Sequence, residues 1–86
     1  MSLSPDTRAR IEQILGANHV VLFMKGNPDM PQCGFSAKAA GILKGLVPSF
    51  GHVDVLSDPE VREGIKVYGQ WPTIPQLYVG GELLGG

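Results

Sequence analysis

The stretch HVVLFMKGNPDMPQCGFSAKAAGILKGL, residues 19–46, decides the fold of this chain. Residues 19–24 form a continuous apolar run rich in β-branched side chains, which is typical of a strand covered on both faces. A loop rich in glycine and proline follows at residues 26–32. The stretch therefore predicts a strand, a loop and then a helix. The helix is indicated by apolar residues at the spacing of one helix face, namely Phe35, Ala39, Ile42, Leu43 and Leu46.

The residues on either side of this stretch continue the alternation of helices and strands. The run Ser-Pro-Asp at residues 4–6 is typical of a helix N-cap and first turn, and Gly16 is expected to end that helix. Residues 52–56 alternate in polarity, as a half-buried strand does. The pair Asp-Pro at residues 58–59 then predicts the beginning of a third helix.

The end of the sequence predicts two strands joined by a tight turn. Residues 76–79 and 82–84 flank a Gly-Gly pair at 80–81, which is a hairpin signal. The first two strands should be parallel, because they enclose a helix. We therefore predict an α/β fold with a four-stranded mixed sheet flanked by helices, in a single domain of residues 1–86. The sequence has no final helix after Gly86 to cover the sheet, so we expect that the chain is truncated or that its C-terminus lies outside the ordered structure.

The composition excludes several classes of protein. The chain has 86 residues, of which 43% are hydrophobic and 17% charged, so it has the composition of a small globular domain and not of a disordered tail. Its net charge of −1 gives no electrostatic basis for binding nucleic acid or an anionic membrane. The sequence contains no membrane-spanning run and does not begin as a signal peptide does. Its single cysteine cannot form an internal disulfide, which favours a reducing compartment.

Cys33 is the candidate catalytic residue. It directly precedes a predicted helix, whose N-terminal amides favour the thiolate and should lower the thiol pKa. A lone cysteine is more often a small buried apolar residue, but the carboxyl end of a strand is where α/β sheets bind ligands. Ser36 stands where a dithiol motif would hold its second cysteine. Its hydroxyl either bonds the thiolate or satisfies a backbone donor of the first turn, and the local sequence does not separate these roles.

Four blocks of the sequence together resemble one family. They are MKG at residues 24–26, CGFS at 33–36, WPTIPQ at 71–76 and GGELLGG at 80–86. In this order and spacing they resemble a monothiol (CGFS-type) glutaredoxin over essentially the whole chain. The resemblance implies a thioredoxin-like fold, glutathione binding and a [2Fe–2S] cluster shared between two chains. It also implies a role in iron–sulfur cluster transfer and iron and redox homeostasis, with BolA-type proteins and apo iron–sulfur proteins as partners.

The resemblance also implies a set of glutathione-binding residues. Lys25 would face both the thiolate and the glycine carboxylate of glutathione, and basic residues of the third helix would contact the same carboxylate. Pro75 resembles the cis-proline of thioredoxin-like folds, so that the Ile74 backbone would be turned toward the ligand. The full expected set is Lys25, Cys33, Gly34, Phe35, Arg62, Lys66, Thr73, Ile74, Pro75 and Gly86.

The residues by themselves leave other roles open for parts of this set. Lys25 has the position of an ordinary solvated lysine at a strand end. Arg62 and Lys66 lie one turn apart, as they would on any hydrated helix face. Trp71 either flanks the pocket or packs at the edge of the core.

The cysteine count agrees with a shared cluster and leaves two functions open. A [2Fe–2S] centre takes four thiolate-type ligands, so the Cys33 residues of a homodimer and two glutathione thiols would complete one. The first function is a carrier of this cluster, with Cys33 as the metal ligand. The second is an oxidoreductase that removes glutathione from protein thiols through a Cys33 mixed disulfide. The lack of a resolving thiol at Ser36 favours the carrier, in the cytoplasm or another reducing compartment such as the mitochondrial matrix.

Overall fold

The computed structural model describes residues 3–85. Their four strands form one mixed sheet in the order β2-β1-β3-β4. Strands β1 and β2 are parallel, whereas β3 is antiparallel to both β1 and β4. The predicted element order and the predicted mixed sheet are therefore confirmed. The elements are α1 (Pro5–Ala17), β1 (Val20–Met24), α2 (Gly34–Leu46), β2 (Gly51–Asp54), α3 (Pro59–Tyr68), β3 (Gln76–Val79) and β4 (Glu82–Gly85).

Strand β1 is covered on both faces, as its continuous apolar run predicts. Val21 and Phe23 belong to a core cluster shared with α1 and α3. Leu22 and Met24 belong to a second cluster shared with α2. All four side chains are fully buried. Because successive side chains of a strand point to opposite faces, this alternation puts α1 and α3 on one face of the sheet and α2 on the other.

The predicted helix beginnings at residues 4–6 and 58–59 are confirmed. Ser4 caps α1 by accepting a hydrogen bond from the Thr7 N–H at 3.1 Å. Asp58 caps α3 in the same way, through the Val61 N–H at 3.3 Å. In both helices a proline follows the cap, where its missing N–H costs no intrahelical hydrogen bond.

The prediction that Gly16 ends α1 is wrong. The helix continues to Ala17, and Asn18 leaves it with an extended backbone at φ −141°. Gly16 is exposed and has no atom within 4 Å of the place where a Cβ would stand. A helical glycine costs only about 1 kcal/mol relative to alanine, so one at an exposed position does not by itself end a helix.

The predicted buried face of α2 is largely wrong. Its buried residues are Ser36, Ala40 and Leu43, and only Leu43 belongs to the predicted set. Phe35 is 78% exposed and Leu46 is 75% exposed. The helix is turned this way because Ala40 and Leu43 pack under β1, while the hydroxyl of Ser36 bonds the backbone at the end of that strand. The exposed apolar side of α2 borders a groove of about 300 Å³, which is lined by Leu22, Ala39, Ile42, Leu43, Leu46, Pro75, Leu77, Leu84 and Gly85.

Strand β2 begins and ends earlier than the predicted range of residues 52–56. Its last residue is Asp54, whose Oδ1 atom accepts the N–H of Leu56 at 2.9 Å. This side-chain hydrogen bond forms a local turn of the backbone and ends the strand. Val55 is nevertheless fully buried, as its apolar character predicts. The hairpin at residues 80–81 is confirmed, since both glycines have the positive φ that a tight two-residue turn requires.

Candidate functional site

Cys33 lies at the N-terminus of α2, where it serves as the helix N-cap. Its backbone is extended, at φ −155°, and its Sγ atom accepts the N–H of Ser36 at 3.3 Å. The side chain is partly exposed. A sulfur in this position receives an N–H that has no partner within the helix, and it lies at the positive end of the helix dipole. This environment stabilises the thiolate relative to the thiol.

Ser36 connects this sulfur to the end of β1. Its side chain is fully buried, and its Oγ atom accepts the N–H of Lys25 at 3.1 Å. The same Oγ atom lies 3.4 Å from Sγ of Cys33. Because the hydroxyl accepts one hydrogen bond from the backbone, its own proton is available to the sulfur. The Ser36 hydroxyl therefore contacts the thiol sulfur, and the backbone donor it satisfies belongs to the end of β1 and not to the first turn of its own helix.

Hydrogen bonding from Ser36 is the main reason that the pKa of Cys33 is lowered. The Ser36 hydroxyl has the largest effect and the Ser36 backbone N–H the next largest, while burial raises the pKa in opposition. The Phe35 backbone N–H and the charge of Lys25 lower it by smaller amounts. The expected direction is confirmed. Lys25 acts in the same direction, and its effect is the smallest because hydrogen bonds at contact distance stabilise a thiolate more than a nearby charge does.

The loop that precedes Cys33 is tied down at both of its ends. At its beginning, Gly26 donates its N–H to Oδ1 of Asp54 at 2.9 Å. At its end, the N–H of Gln32 bonds the carbonyl of Lys25 at 2.8 Å. Gly26 has φ +84°, and a Cβ there would lie 2.4 Å from the Met30 carbonyl oxygen, so a side chain is excluded. These contacts fix the backbone on both sides of the loop, next to Lys25 and next to Cys33.

A basic pocket of about 180 Å³ lies beside this loop and carries three cationic side chains. Among them, Arg62 has a buried Nε atom with no hydrogen-bond partner within residues 3–85. Lys66 is engaged by Glu63, with 3.2 Å between Nζ and Oε2. A pocket lined by three cations suits an anion, and the planar guanidinium of Arg62 is well matched to a carboxylate. The pocket is lined by Lys25, Arg62, Lys66, Pro72, Thr73 and Ile74.

Five of the residues that the sequence predicts for the site line this one pocket, and the others lie elsewhere. Cys33, Gly34 and Phe35 lie at the N-terminus of α2. Pro75 follows the predicted cis peptide bond, but it lines the apolar groove and not the basic pocket. Gly86 lies outside the described residues. The five expected residues in the pocket are Lys25, Arg62, Lys66, Thr73 and Ile74.

Two residues of the site were missing from the expected set. Pro72 lines the basic pocket between α3 and β3. Gln76 is fully buried just behind the pocket. It bonds the carbonyls of Trp71 and Thr73, in the bend between α3 and β3 that forms one wall of the pocket. Both belong to the WPTIPQ block, and this membership is the only feature of the sequence that could have assigned them to the site. Trp71 of the same block is partly exposed and is not among the residues described as lining the pocket.

Two classes of site are not found in the described part of the chain. Residues 3–85 contain no group of three or more His, Cys, Asp or Glu side chains that could hold a metal ion. Over the same residues, no helix has both the length and the apolar character needed to cross a membrane.

The fold and the thiol site together define a thioredoxin-like protein of the glutaredoxin type. The family model described as Glutaredoxin matches residues 20–84. The chain therefore belongs to the glutaredoxin family. It is 55% identical over 84 residues to a monothiol glutaredoxin of Synechocystis, a match that covers 98% of this chain and 78% of that protein. It is 52% identical over 89 residues to the mitochondrial monothiol glutaredoxin-5 of Saccharomyces cerevisiae, covering 100% of this chain and 59% of that protein.

Solved structures of similar proteins share this fold. The reduced apo form of poplar GrxS14 has a TM-score of 0.83 and 45% identity, covering 100% of this chain and 79% of the other. A truncated monomeric mutant of 1-C-Grx1 from Trypanosoma brucei has a TM-score of 0.82 and 37% identity, covering 92% and 72%. The predicted thioredoxin-like fold and the resemblance to monothiol glutaredoxins are both confirmed.

Proposed function

We propose that this chain binds glutathione, with the ligand's sulfur at Cys33 and its glycine carboxylate in the basic pocket. The observation that carries this proposal is a pocket beside the thiol loop that is lined by Arg62 and two lysines, with a buried Nε atom of Arg62 that has no partner among the described residues. Glutathione carries a thiol and two carboxylates, so it suits a site that pairs a thiolate with several cations. Arginine is well matched to a carboxylate because its guanidinium donates in a planar fork.

Each wall of the pocket has a proposed role toward this ligand. Lys25, Arg62 and Lys66 would bind the carboxylate as cations. Thr73 and Ile74 would offer backbone groups to the peptide-like part of glutathione. At the N-terminus of α2, Gly34 and Phe35 would contribute backbone amides beside Cys33. Pro75 and Gly86 keep the roles that the family resemblance implies.

We further propose that two copies of the chain hold a [2Fe–2S] cluster between them as cargo. Cys33 suits an iron ligand because its thiolate is stabilised and its side chain is partly exposed. One chain supplies one thiolate, so the Cys33 residues of two copies and two glutathione thiols would make the four ligands of the centre. Glutathione binding and homodimer formation are then linked by mass action.

The partners and the compartment follow from this proposal. Apo iron–sulfur proteins would receive the cluster, and a BolA-type protein would be a regulatory partner, as the family resemblance implies. The chain would work in a reducing compartment, such as the cytoplasm or the mitochondrial matrix, where Cys33 stays a thiol. Relatives carry both mitochondrial and chloroplastic names, which is compatible with more than one compartment.

A second function is favoured by the lowered pKa of Cys33. As a thiolate, Sγ would attack the glutathione sulfur of a protein–glutathione disulfide, forming a new S–S bond and expelling the protein thiolate, which takes up a proton. A second glutathione thiolate would then attack the Cys33 mixed disulfide, releasing oxidised glutathione and restoring Cys33. The net reaction consumes one glutathione and returns one reduced protein thiol. It needs no second cysteine, but it depends on external glutathione to resolve the intermediate.

Anaerobic reconstitution with iron, sulfide and glutathione tests the carrier function directly. We expect a brown protein that elutes as a dimer in size-exclusion chromatography and contains two iron atoms and two glutathiones. Cys33→Ser should bind no cluster and should stay monomeric. Lys38→Gln is a matched control, because Lys38 is an exposed cation on α2 that does not line the pocket. Stoichiometric cluster binding by Cys33→Ser, or a monomeric cluster-bound form without glutathione, would contradict the mechanism.

A further inference from the structure

Gln76 occupies a buried position directly behind the basic pocket. It is the first residue of β3, and its side chain is fully buried. Its Nε2 atom donates to the carbonyl of Trp71 at 3.0 Å and to the carbonyl of Thr73 at 3.3 Å. Its Oε1 atom accepts the hydroxyl of Tyr78 at 3.0 Å. Both amide protons and the amide oxygen are therefore engaged, which is the arrangement that a buried carboxamide requires.

The two carbonyls of the bend determine which way this carboxamide faces, and the hydroxyl of Tyr78 completes its hydrogen bonds. Tyr78 is 2% exposed, and burial raises its pKa to about 12, so the hydroxyl keeps its proton at physiological pH. The hydroxyl can donate or accept, but the carbonyls of Trp71 and Thr73 only accept, so Nε2 must face them and Oε1 accepts the Tyr78 hydroxyl. The reverse orientation would bring the amide oxygen against the two carbonyl oxygens, with no proton between them.

The end of α3 packs against the same group of side chains. A Cβ at Gly69 would lie 2.4 Å from the Tyr78 hydroxyl oxygen and 2.9 Å from Oε1 of Gln76, so this position has room only for glycine. Further along, the N–H of Trp71 bonds the carbonyl of Lys66 at 3.1 Å. The bend after α3 is thus held from both sides, by α3 itself and by Gln76.

The bond to Thr73 has a consequence for the next residue of the chain. Carbonyl and N–H point in opposite directions across a planar trans peptide unit. Because the Thr73 carbonyl is directed inward to Gln76, the N–H of Ile74 is directed away from Gln76. Thr73 and Ile74 both line the basic pocket, so this N–H lies on the wall where the proposed ligand would bind.

We propose that Gln76 is a positioning residue for glutathione, which acts by holding the Thr73 carbonyl inward and thereby presenting the Ile74 N–H to the ligand. Gln76 makes no contact with the ligand itself. This inference rests on the proposed binding of glutathione in the basic pocket. It distinguishes Gln76 from a core residue that merely fills space, because the donor character of its amide is the property required.

The pH dependence of a Gln76→Glu variant tests this role. A carboxylic acid facing two carbonyls keeps one donor while it is protonated and loses it on ionisation, and burial raises its pKa. The dissociation constant for glutathione should be measured by calorimetry in a Cys33→Ser background, between about pH 5 and pH 8, where the ligand carboxylates stay ionised. We expect near-parental affinity at the acidic end and a fall of about tenfold toward pH 8. The parent should show no such fall.

Three further variants make the result specific. Gln76→Met keeps the size but has no donor, so it should bind about tenfold more weakly at every pH. Tyr78→Phe removes the donor to Oε1 of Gln76 and so weakens the hold on the carboxamide, which should weaken binding by a smaller factor. This variant leaves Gln76 unchanged and keeps the test intact if changes at Gln76 prevent folding. Gln70→Glu is the control for charge, since Gln70 is exposed and adjoins the bend. With Cys33 intact, none of these changes should move the pKa of the thiol.

The outcomes separate this inference from the proposed function. If the parent binds glutathione and all variants bind it within twofold of the parent at every pH, Gln76 is not a positioning residue. If Gln70→Glu shows the same pH profile as Gln76→Glu, the effect is one of charge and the inference also fails. If the parent does not bind glutathione, the proposed function fails. In that case the backbone amide resonance of Ile74 tests the direction of its N–H without any ligand. This resonance should shift in Gln76→Met, and an unchanged resonance would refute the inference.

Discussion

The hydroxyl oxygen of Ser36 lies 3.4 Å from the sulfur of Cys33 and at the same time accepts the backbone N–H of Lys25. The serine therefore does more than replace a second cysteine. It connects the end of β1 to the thiol and supplies a proton donor to the thiolate. The serine side chain is fully buried and bonded on both sides, so its position is fixed by the fold.

Replacing Ser36 with alanine should raise the pKa of Cys33 toward the free-cysteine value of about 8.5. The hydroxyl is the largest of the influences that lower this pKa, and alanine removes it while leaving the helix N-cap in place. Lys25→Gln should raise the pKa less, because the charge of Lys25 has the smallest effect of those that lower it. The rate of alkylation with iodoacetamide, followed against pH, measures both shifts.

Ser49→Ala is the matched control for this experiment, because Ser49 is exposed and lies in the loop after α2. Its alkylation profile should coincide with that of the parent. A larger shift for Lys25→Gln than for Ser36→Ala would mean that charge, and not hydrogen bonding, dominates at the thiol.

The free energy of unfolding should rise with pH across the range in which Cys33 ionises. A thiol whose pKa is lowered by folding binds fewer protons in the folded state than in the unfolded state between the two pKa values. Its stabilisation is complete above the unfolded value of about 8.5 and is lost as the pH falls through the folded value. Urea denaturation of the parent and of Cys33→Ser at a series of pH values isolates this contribution as the difference between the two.

In a Ser36→Ala background, the difference in unfolding free energy between the proteins with and without Cys33 should be smaller. The reason is that the pKa of Cys33 in the folded state then lies closer to that in the unfolded state. A difference that falls with rising pH would have the wrong sign and would show that burial outweighs the hydrogen bonds at the sulfur.

Arg62 and Lys66 should contribute unequally to glutathione binding. Arg62→Gln should weaken binding by about tenfold, since the ligand carboxylate loses a partly buried charged donor. Lys66→Gln should weaken it less, because Glu63 already engages that ammonium group. Titration of glutathione against each variant in a Cys33→Ser background gives the dissociation constants.

Glu63→Gln supplies the complementary test of the same pocket. Removing this carboxylate releases Lys66 toward the ligand, so binding should strengthen about two- to threefold, within the range of exposed ion pairs. Weaker binding in Glu63→Gln would show that Lys66 needs its ion pair to be held in place.

The unmodified protein should be a weak catalyst in a glutathione-coupled disulfide assay, because without a second thiol each Cys33 mixed disulfide must wait for external glutathione to resolve it. Ser36→Cys should raise turnover, since the side chain at this position lies close enough to Cys33 for a disulfide to form after a small rotation. Steady-state rates of the two proteins, with a dithiol glutaredoxin assayed in parallel, provide the comparison. If the unmodified protein turns over as fast as the dithiol enzyme, the oxidoreductase function is favoured over the cluster carrier.

The parts of the fold that follow from local sequence were predictable. The continuous apolar run of β1 predicts coverage on both faces, because a side-chain period of two puts apolar groups on each side. The proline and polar cap residues at the beginnings of α1 and α3 act within one turn of the helix, so their signals need no distant partner. The position of Cys33 at a helix N-terminus likewise follows from the loop and helix on either side of it.

Contacts between distant segments decided which face of α2 is buried and which side chains pair in the site. Which face of α2 is buried depends on the strand it packs against, and the helix is turned so that Ser36 reaches the end of β1. The sequence of α2 alone has an apolar stripe and a small-residue stripe, and its periodicity does not tell which of them meets the sheet. Similarly, the pairing of Lys66 with Glu63 and the lack of a described partner for Nε of Arg62 are visible only once side chains have positions.

The sequence by itself determined the order of the elements, the family and the reactive cysteine, because these are carried by short patterns and by blocks of residues in a characteristic order. Only the tertiary structure showed that the Ser36 hydroxyl contacts the thiol sulfur and that Gln76 bonds two carbonyls of the bend beside the basic pocket. Both side chains work by hydrogen bonds to backbone groups, and the direction of a backbone carbonyl or N–H is set by the fold and not by the residue type. For this reason two ordinary polar residues of the CGFS and WPTIPQ blocks gained their roles from geometry alone.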